Sequence, residues 1–186
     1  MSISFRTPEI DDLGLAGYFR VVPSADAGGY EAVLFVMNAA GEPVEFCFAD
    51  IETPRTVLWG QTALRRRVSG ELVKSLLEAC SVSPVILLSR ADEIGPETFS
   101  EDVVVAVPSC RVASSLETSA VGIADNDEAL PDSGGAQLLW CGDAPGQATP
   151  ARRLLSHLSE TGLVLEPFER AQAGLAEVKR SEPSPA

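Results

Sequence analysis

The side chains in this sequence that are equipped for chemistry are mostly carboxylates. Asp92 and Glu93 come just after the apolar run PVILLS at 84–89, separated from it by Arg90 and Ala91. Asp50 and Glu52 lie just beyond the alternating stretch VEFCF at 44–48, and Glu31 stands at the head of the run AVLFVM. The carboxyl end of a central strand is where open sheets place their ligands. Carboxylate oxygens are also the ligands that hard divalent cations take. Glu31, Asp50, Asp92 and Glu93 are therefore candidate ligands for a divalent-metal-dependent phosphoester hydrolase of nuclease-like type. We hold this as the alternative reading, because a loop carboxylate is adequately satisfied by water.

Other chemistries are poorly supplied. The one histidine, His157, falls among Leu154, Leu155 and Leu158, which disfavours Ser-His-Asp and Cys-His mechanisms and excludes a multi-histidine metal site. Cys47, Cys80, Cys110 and Cys141 form no CxxC, which disfavours a structural zinc knuckle, and Cys47, Cys80 and Cys110 read as small buried hydrophobes. No GxGxxG or GxxxxGK[ST] occurs. Gly142 to Gly146 is the nearest thing to a phosphate loop, and Pro145 removes one of its backbone donors. No cofactor is expected, and a metal only on the alternative reading.

These groups must be positioned by a single α/β domain, which 186 residues can build without disulfides or metals. A short apolar run at 18–22 comes first. Residues 30–37 and 44–48 then read as a hairpin, with Ala32, Leu34 and Val36 on one face and Val33, Phe35 and Met37 on the other. In its second strand Val44, Phe46 and Phe48 oppose Glu45 and Cys47. TVLW at 56–59 reads as a further strand. A helix follows from about Thr62 to Cys80 on the stripe Leu64, Val68, Leu72 and Leu76.

Strands are expected at 84–89, 102–107, 137–141 and 163–165. One helix should open at Thr149-Pro150 and end at Gly162, and another should start at Pro167. The expected architecture is a single mixed sheet of about six to eight strands that opens with a hairpin and is flanked by two or three helices. The domain spans 1–178, with an exposed acidic loop at about 124–136 and a flexible tail at 179–186.

Three short strands, a helix and then a buried strand, over residues 30–90, loosely resemble the opening of ribonuclease-H-like folds, a family of two-metal nucleases and their relatives. The resemblance rests on element order and on no motif. It implies an aspartate on the first strand facing the metals. The matching strand, AVLFVMN, holds no carboxylate, with only Glu31 before it and Asn38 at its end. That departure counts against a metal-dependent nuclease.

The net charge of -13 repels a phosphate backbone, so nucleic acid is disfavoured as a partner. The main reading is a non-enzymatic protein-interaction or accessory subunit that assembles with itself or with a partner protein. Its contacts would be Arg65, Arg66 and Arg67, which stand unfavourably near a helix N-terminus, together with Trp59 and Trp140 at strand ends. A third reading, nucleic-acid binding, would need Arg55, Arg65, Arg66, Arg67 and Lys74 to line up as one stripe. The sequence shows neither a basic-then-apolar leader nor an apolar run of spanning length, so a cytoplasmic protein without membrane contact is expected.

Overall fold

A computed structural model describes residues 1–5, 12–24, 28–52, 60–99, 107–113, 127–129 and 136–181. Its strands are β1 (Ser2–Ser4), β2 (Leu15–Pro23), β3 (Gly29–Asn38), β4 (Pro43–Glu52), β5 (Ile86–Arg90), β6 (Ser109–Ala113), β7 (Asp127–Ala129) and β8 (Gln137–Trp140). Its α-helices are α1 (Gln61–Ala79), α2 (Pro150–Glu160) and α3 (Glu166–Ser181). The eight strands form one mixed sheet in the order β1-β4-β3-β2-β5-β6-β8-β7. The α/β architecture expected from the sequence is therefore present.

Side-chain alternation divides the core between the two sheet faces. Ala32, Leu34 and Val36 of β3 join Phe19 of β2 and Leu87 of β5 under Val68, Leu72, Val73 and Leu76 of α1. Val33, Phe35 and Met37 face the other way, with Tyr18, Ile86 and Leu88, under Leu154, Leu155 and Leu158 of α2 and Phe168 and Leu175 of α3. β2 lies between antiparallel β3 and parallel β5, covered on both faces. Tyr18 fixes α3 against it: its hydroxyl donates to the Leu163 carbonyl at 2.5 Å, and its ring meets Phe168 edge to face at 5.2 Å. Burial pushes the Tyr18 phenol well above its ordinary pKa, so it stays a neutral donor. Gly174 lets α3 lie close on the sheet, since a Cβ there would meet the Phe46 ring at 2.7 Å.

Several expectations need correction. The three long antiparallel strands ahead of α1 are β2, β3 and β4, so the counterpart of the ribonuclease-H first strand is β2 and not AVLFVMN. β2 reads LAGYFRVVP and carries no carboxylate. Val44 shares the α1 face with Cys47, because the register shifts between Val36 and Met37 and reverses the alternation there. LVL at 163–165 is part of the five-residue turn, 161–165, that joins α2 to α3, a connection too short to reach a sheet edge. β6, in the stretch SCRVA, went unread because Arg111 interrupts its apolar pattern. The predicted acidic loop contributes β7, paired with β8. The predicted strand 56–59, all but the last residue of the predicted strand 102–107, and most of the 124–136 loop lie outside the described residues.

Tyr18→Phe should lower stability by about 1–2 kcal/mol, the effect of leaving the Leu163 carbonyl without its donor in a packed setting. Urea unfolding measures this; an unchanged midpoint would mean the hydroxyl does not tie α3 to β2.

Candidate functional site

The parallel pair β2 and β5 ends at Pro23 and Arg90, and a cluster of charged side chains stands at that edge. Arg20 projects from β2 on the α3 face. Its Nε donates to the two Glu93 carboxylate oxygens at 2.8 and 3.2 Å, and its Nη2 also bonds Glu93. Its Nη1 donates to the Phe168 carbonyl at 3.1 Å and to Gln172 Oε1 at 2.8 Å. Glu31, near the start of β3, faces the same side and accepts from Lys179 Nζ of α3 at 2.5 Å. Asp50 of β4 is the cross-strand partner of Glu31. Arg20, Glu31, Gln172 and Lys179, with Val22, Val33 and Leu175, line a cavity of about 240 Å³.

Asp92 turns outward and takes two bonds from Arg90, at 2.9 and 3.2 Å. Partial burial pushes its carboxyl pKa up, but the Arg90 bonds and charge outweigh this and hold it below the usual range. All four candidate carboxylates thus reach one edge. Three of them, Glu31, Asp92 and Glu93, hold a basic side chain there. The arrangement interleaves cations with carboxylates around a cavity, and an incoming anion could exchange into it.

The proposed contact residues are placed differently. Trp140 is only 8% exposed, with the Arg152 guanidinium 4.8 Å over its ring and Arg152 Nε bonded to the Pro145 carbonyl at 3.0 Å. It is part of the α2 packing. Arg66 and Arg67 are exposed on α1, and Arg67 bonds Glu71 one turn on at 3.0 Å. Trp59 and the Arg65 side chain lie outside the described residues. His157 is half-buried near the end of α2.

A second polar cluster went unread in the sequence. At the opposite, N-terminal edge of β2, Glu45 of β4 is 1% exposed and faces α1 beside Cys47. It accepts from the Ser2 hydroxyl, from the Ser81 backbone N–H at 2.9 Å and from the Ser81 hydroxyl at 2.8 Å. Cys80 Sγ lies 3.2 Å and Cys47 Sγ 3.8 Å from its oxygens. Burial pushes the Glu45 carboxyl up, but the bonds from Ser2, Ser81 and Cys80 more than offset it and bring the pKa down to about 2. The available signal was Glu45-x-Cys47: two residues apart on a strand share a face.

Comparison with solved structures finds the same fold in endonuclease V proteins. The Streptomyces avermitilis structure is 15% identical with a TM-score of 0.52, over 89% of this chain and 83% of that one. The Ciona intestinalis enzyme, solved with a 24mer DNA containing an inosine followed by a ribo-adenosine, is 12% identical with a TM-score of 0.52, over 88% and 86%. The catalytic domain of human endonuclease V is 16% identical with a TM-score of 0.51, over 90% and 85%. No family model and no curated relative matches the sequence.

The fold likeness overturns the expected non-enzymatic accessory subunit and the disfavouring of nucleic acid. The charge argument failed because -13 is a sum over the chain, whereas a bound phosphate senses charges within a Debye length of about 8–10 Å. Within the α3-side edge stand Arg20, Arg90 and Lys179. No described helix is long and apolar enough to cross a membrane.

Arg20→Met should destabilise the fold by about 3–5 kcal/mol by stranding Glu93, and Arg20→Met with Glu93→Met should recover most of that loss. Chemical denaturation of both variants measures this; a double variant no more stable than the single one would refute pairing as the cause. Glu45 has a folded pKa of about 2 against an ordinary 4.5, so its ionised form adds stability above pH 4.5 that is lost as pH falls through 2. In metal-free protein the stability gap between wild type and Glu45→Gln should therefore narrow over that range. A gap independent of pH would mean that the carboxylate charge is not what Ser2 and Ser81 hold.

Proposed function

We propose that this chain acts on nucleic acid as a nuclease-like phosphodiester hydrolase, at the edge formed by the ends of β2 and β5. The observation that carries the proposal is the fold shared with endonuclease V over nearly the whole chain, including a relative solved on DNA. A cavity at that edge, lined by the cations Arg20 and Lys179 and the carboxylate Glu31, supports it. A cytoplasmic setting goes with the proposal, since four free cysteines suit a reducing compartment.

The two-metal centre that the ribonuclease-H resemblance implies can be compared with the residues present. A magnesium-type ion requires near-octahedral oxygen ligands at about 2.0–2.1 Å. β2 supplies no carboxylate, and Glu31, Asp92 and Glu93 each hold a basic side chain. The described residues of this edge do not fit a preformed ion cage. What they can do is capture phosphate. A backbone phosphate drawn to Arg20 and Lys179 would take over the partners of Glu93 and Glu31. The two released carboxylates would then stand beside the bound phosphodiester, where a carboxylate can orient water or accept its proton.

The test is cleavage of a duplex 24mer containing inosine, alongside unmodified DNA and RNA, with magnesium or manganese and with EDTA. Strand scission is expected, with Glu93→Gln and Glu31→Gln slowing it by roughly 100-fold or more. Lys179→Met should weaken binding across all sequences and reduce the salt dependence by about one phosphate contact. Absence of both cleavage and salt-sensitive binding on all of these substrates would overturn the proposal.

A further inference from the structure

We propose that Glu45, Cys47 and Cys80 form a binding site for a borderline-soft divalent cation, Zn²⁺ foremost, at the N-terminal edge of β2. The site lies at the end of that strand remote from the proposed phosphodiester edge, and it does not depend on that function. Among the described residues this is the one group of three metal-ligating side chains whose donor atoms all lie within 4.8 Å of one another.

The spacing matches a tetrahedral centre. Zn–S bonds of about 2.3 Å and Zn–O bonds of about 2.0–2.2 Å place neighbouring sulfur and oxygen ligands roughly 3.6 Å apart. Here Cys80 Sγ stands 3.2 Å from Glu45 Oε2 and Cys47 Sγ 3.8 Å from Glu45 Oε1, and one donor atom from each residue lies within 4.8 Å of the other two. Two thiolates and a carboxylate select zinc over magnesium or calcium, which take oxygen cages. Three protein ligands leave the fourth position to water, as in open zinc sites.

The surroundings supply the rest of a built site. The backbone N–H and hydroxyl of Ser81 and the hydroxyl of Ser2 already fix the Glu45 carboxylate, the role that outer partners play around a bound metal. The backbone anchors are rigid: Glu45 and Cys47 sit two apart on one face of β4, and Cys80 caps α1 with its N–H bonded to the Leu76 carbonyl at 3.0 Å. Cys47 is fully buried while Cys80 is half-buried, so the entry path is on the Cys80 side. Two thiol protons leave as the divalent ion enters. The buried cluster therefore keeps the same net charge, and the exchange adds no unpaired charge to the core.

The experiment titrates reduced, chelator-stripped full-length protein with Co²⁺ and then with Zn²⁺. The expected result is one equivalent bound per chain, with a thiolate-to-cobalt charge-transfer band that Zn²⁺ abolishes, and a melting temperature that rises with Zn²⁺. Cys80→Ser, at a half-buried position that tolerates the change, should remove the band, and Cys47→Ser should do the same. Ser81→Ala should weaken binding roughly 10–100-fold while keeping the band. Cys141→Ser, remote from the cluster, should change nothing. Absence of stoichiometric binding, or a band that survives in the folded Cys80→Ser protein, overturns the site. A Cys47–Cys80 disulfide that re-forms under reductant and excludes the metal would overturn it as well.

Discussion

The arginine in the middle strand constrains much of this structure. Arg20 stands on β2, a strand covered on both faces, so its guanidinium must find partners inside the fold. Glu93 and the α3 residues Phe168 and Gln172 provide them. The turn after β5 must bring Glu93 back over β2, and the N-terminal half of α3 must lie across the strand end. Tyr18, two residues earlier on the same face, adds a bond to the segment that joins α2 to α3. Satisfying one buried cation thus links β2, β5 and α3, and it places Lys179, further along α3, over Glu31.

The same constraint shapes what the edge can do. A buried ion pair contributes little net stability, because desolvation offsets most of the attraction, yet its geometry is exacting. The Arg20–Glu93 pair therefore holds two opposite charges in place, with Arg20 lining the cavity, at small energetic gain. An anion that binds Arg20 exchanges one partner for another, and Glu93 is released in the process. A carboxylate already fixed on bare metal-ligand geometry would behave differently, attracting cations and repelling phosphate from the outset.

Much of the fold was legible in the sequence, and less of the site. The hairpin faces, α1 and the Thr149-Pro150 start of α2 follow from period-2 and period-3.6 patterns and from cap chemistry, all of which are local. The role of β2 was not legible: LAGYFRVVP contains a glycine and an arginine, so only a short apolar run at 18–22 was read there, and the first-strand match went to AVLFVMN instead. β6 was hidden for the same reason, since Arg111 breaks the pattern of a strand buried at every position. The four carboxylates Glu31, Asp50, Asp92 and Glu93 were read only as candidate ligands, with no shared location, because element order does not fix which strands pair; the sheet order brings them to one edge. Their cationic partners Arg20 and Lys179 were not foreseen, because they lie 73 and 148 residues away from Glu93 and Glu31 in the chain. Glu45 was missed because a buried carboxylate on a strand reads as a solvent-facing residue until its donors, Ser2 and Ser81, are brought to it by β1 and the end of α1.

The two ends of β2 show how one strand can carry opposite electrostatics. At its C-terminal edge, carboxylates are balanced by guanidinium and ammonium groups, which favours exchange with phosphate. At its N-terminal edge, the described partners of Glu45 are neutral donors: hydroxyls, a backbone N–H and thiols. Neutral donors stabilise a carboxylate without neutralising it, so negative charge persists there in a nearly closed space. Such a site attracts a cation rather than an anion, and thiols are the only members that can shed protons to admit one. The overall excess of acidic residues therefore says little about either end. The identity of the balancing groups, cationic at one edge and neutral at the other, decides which charge each can receive.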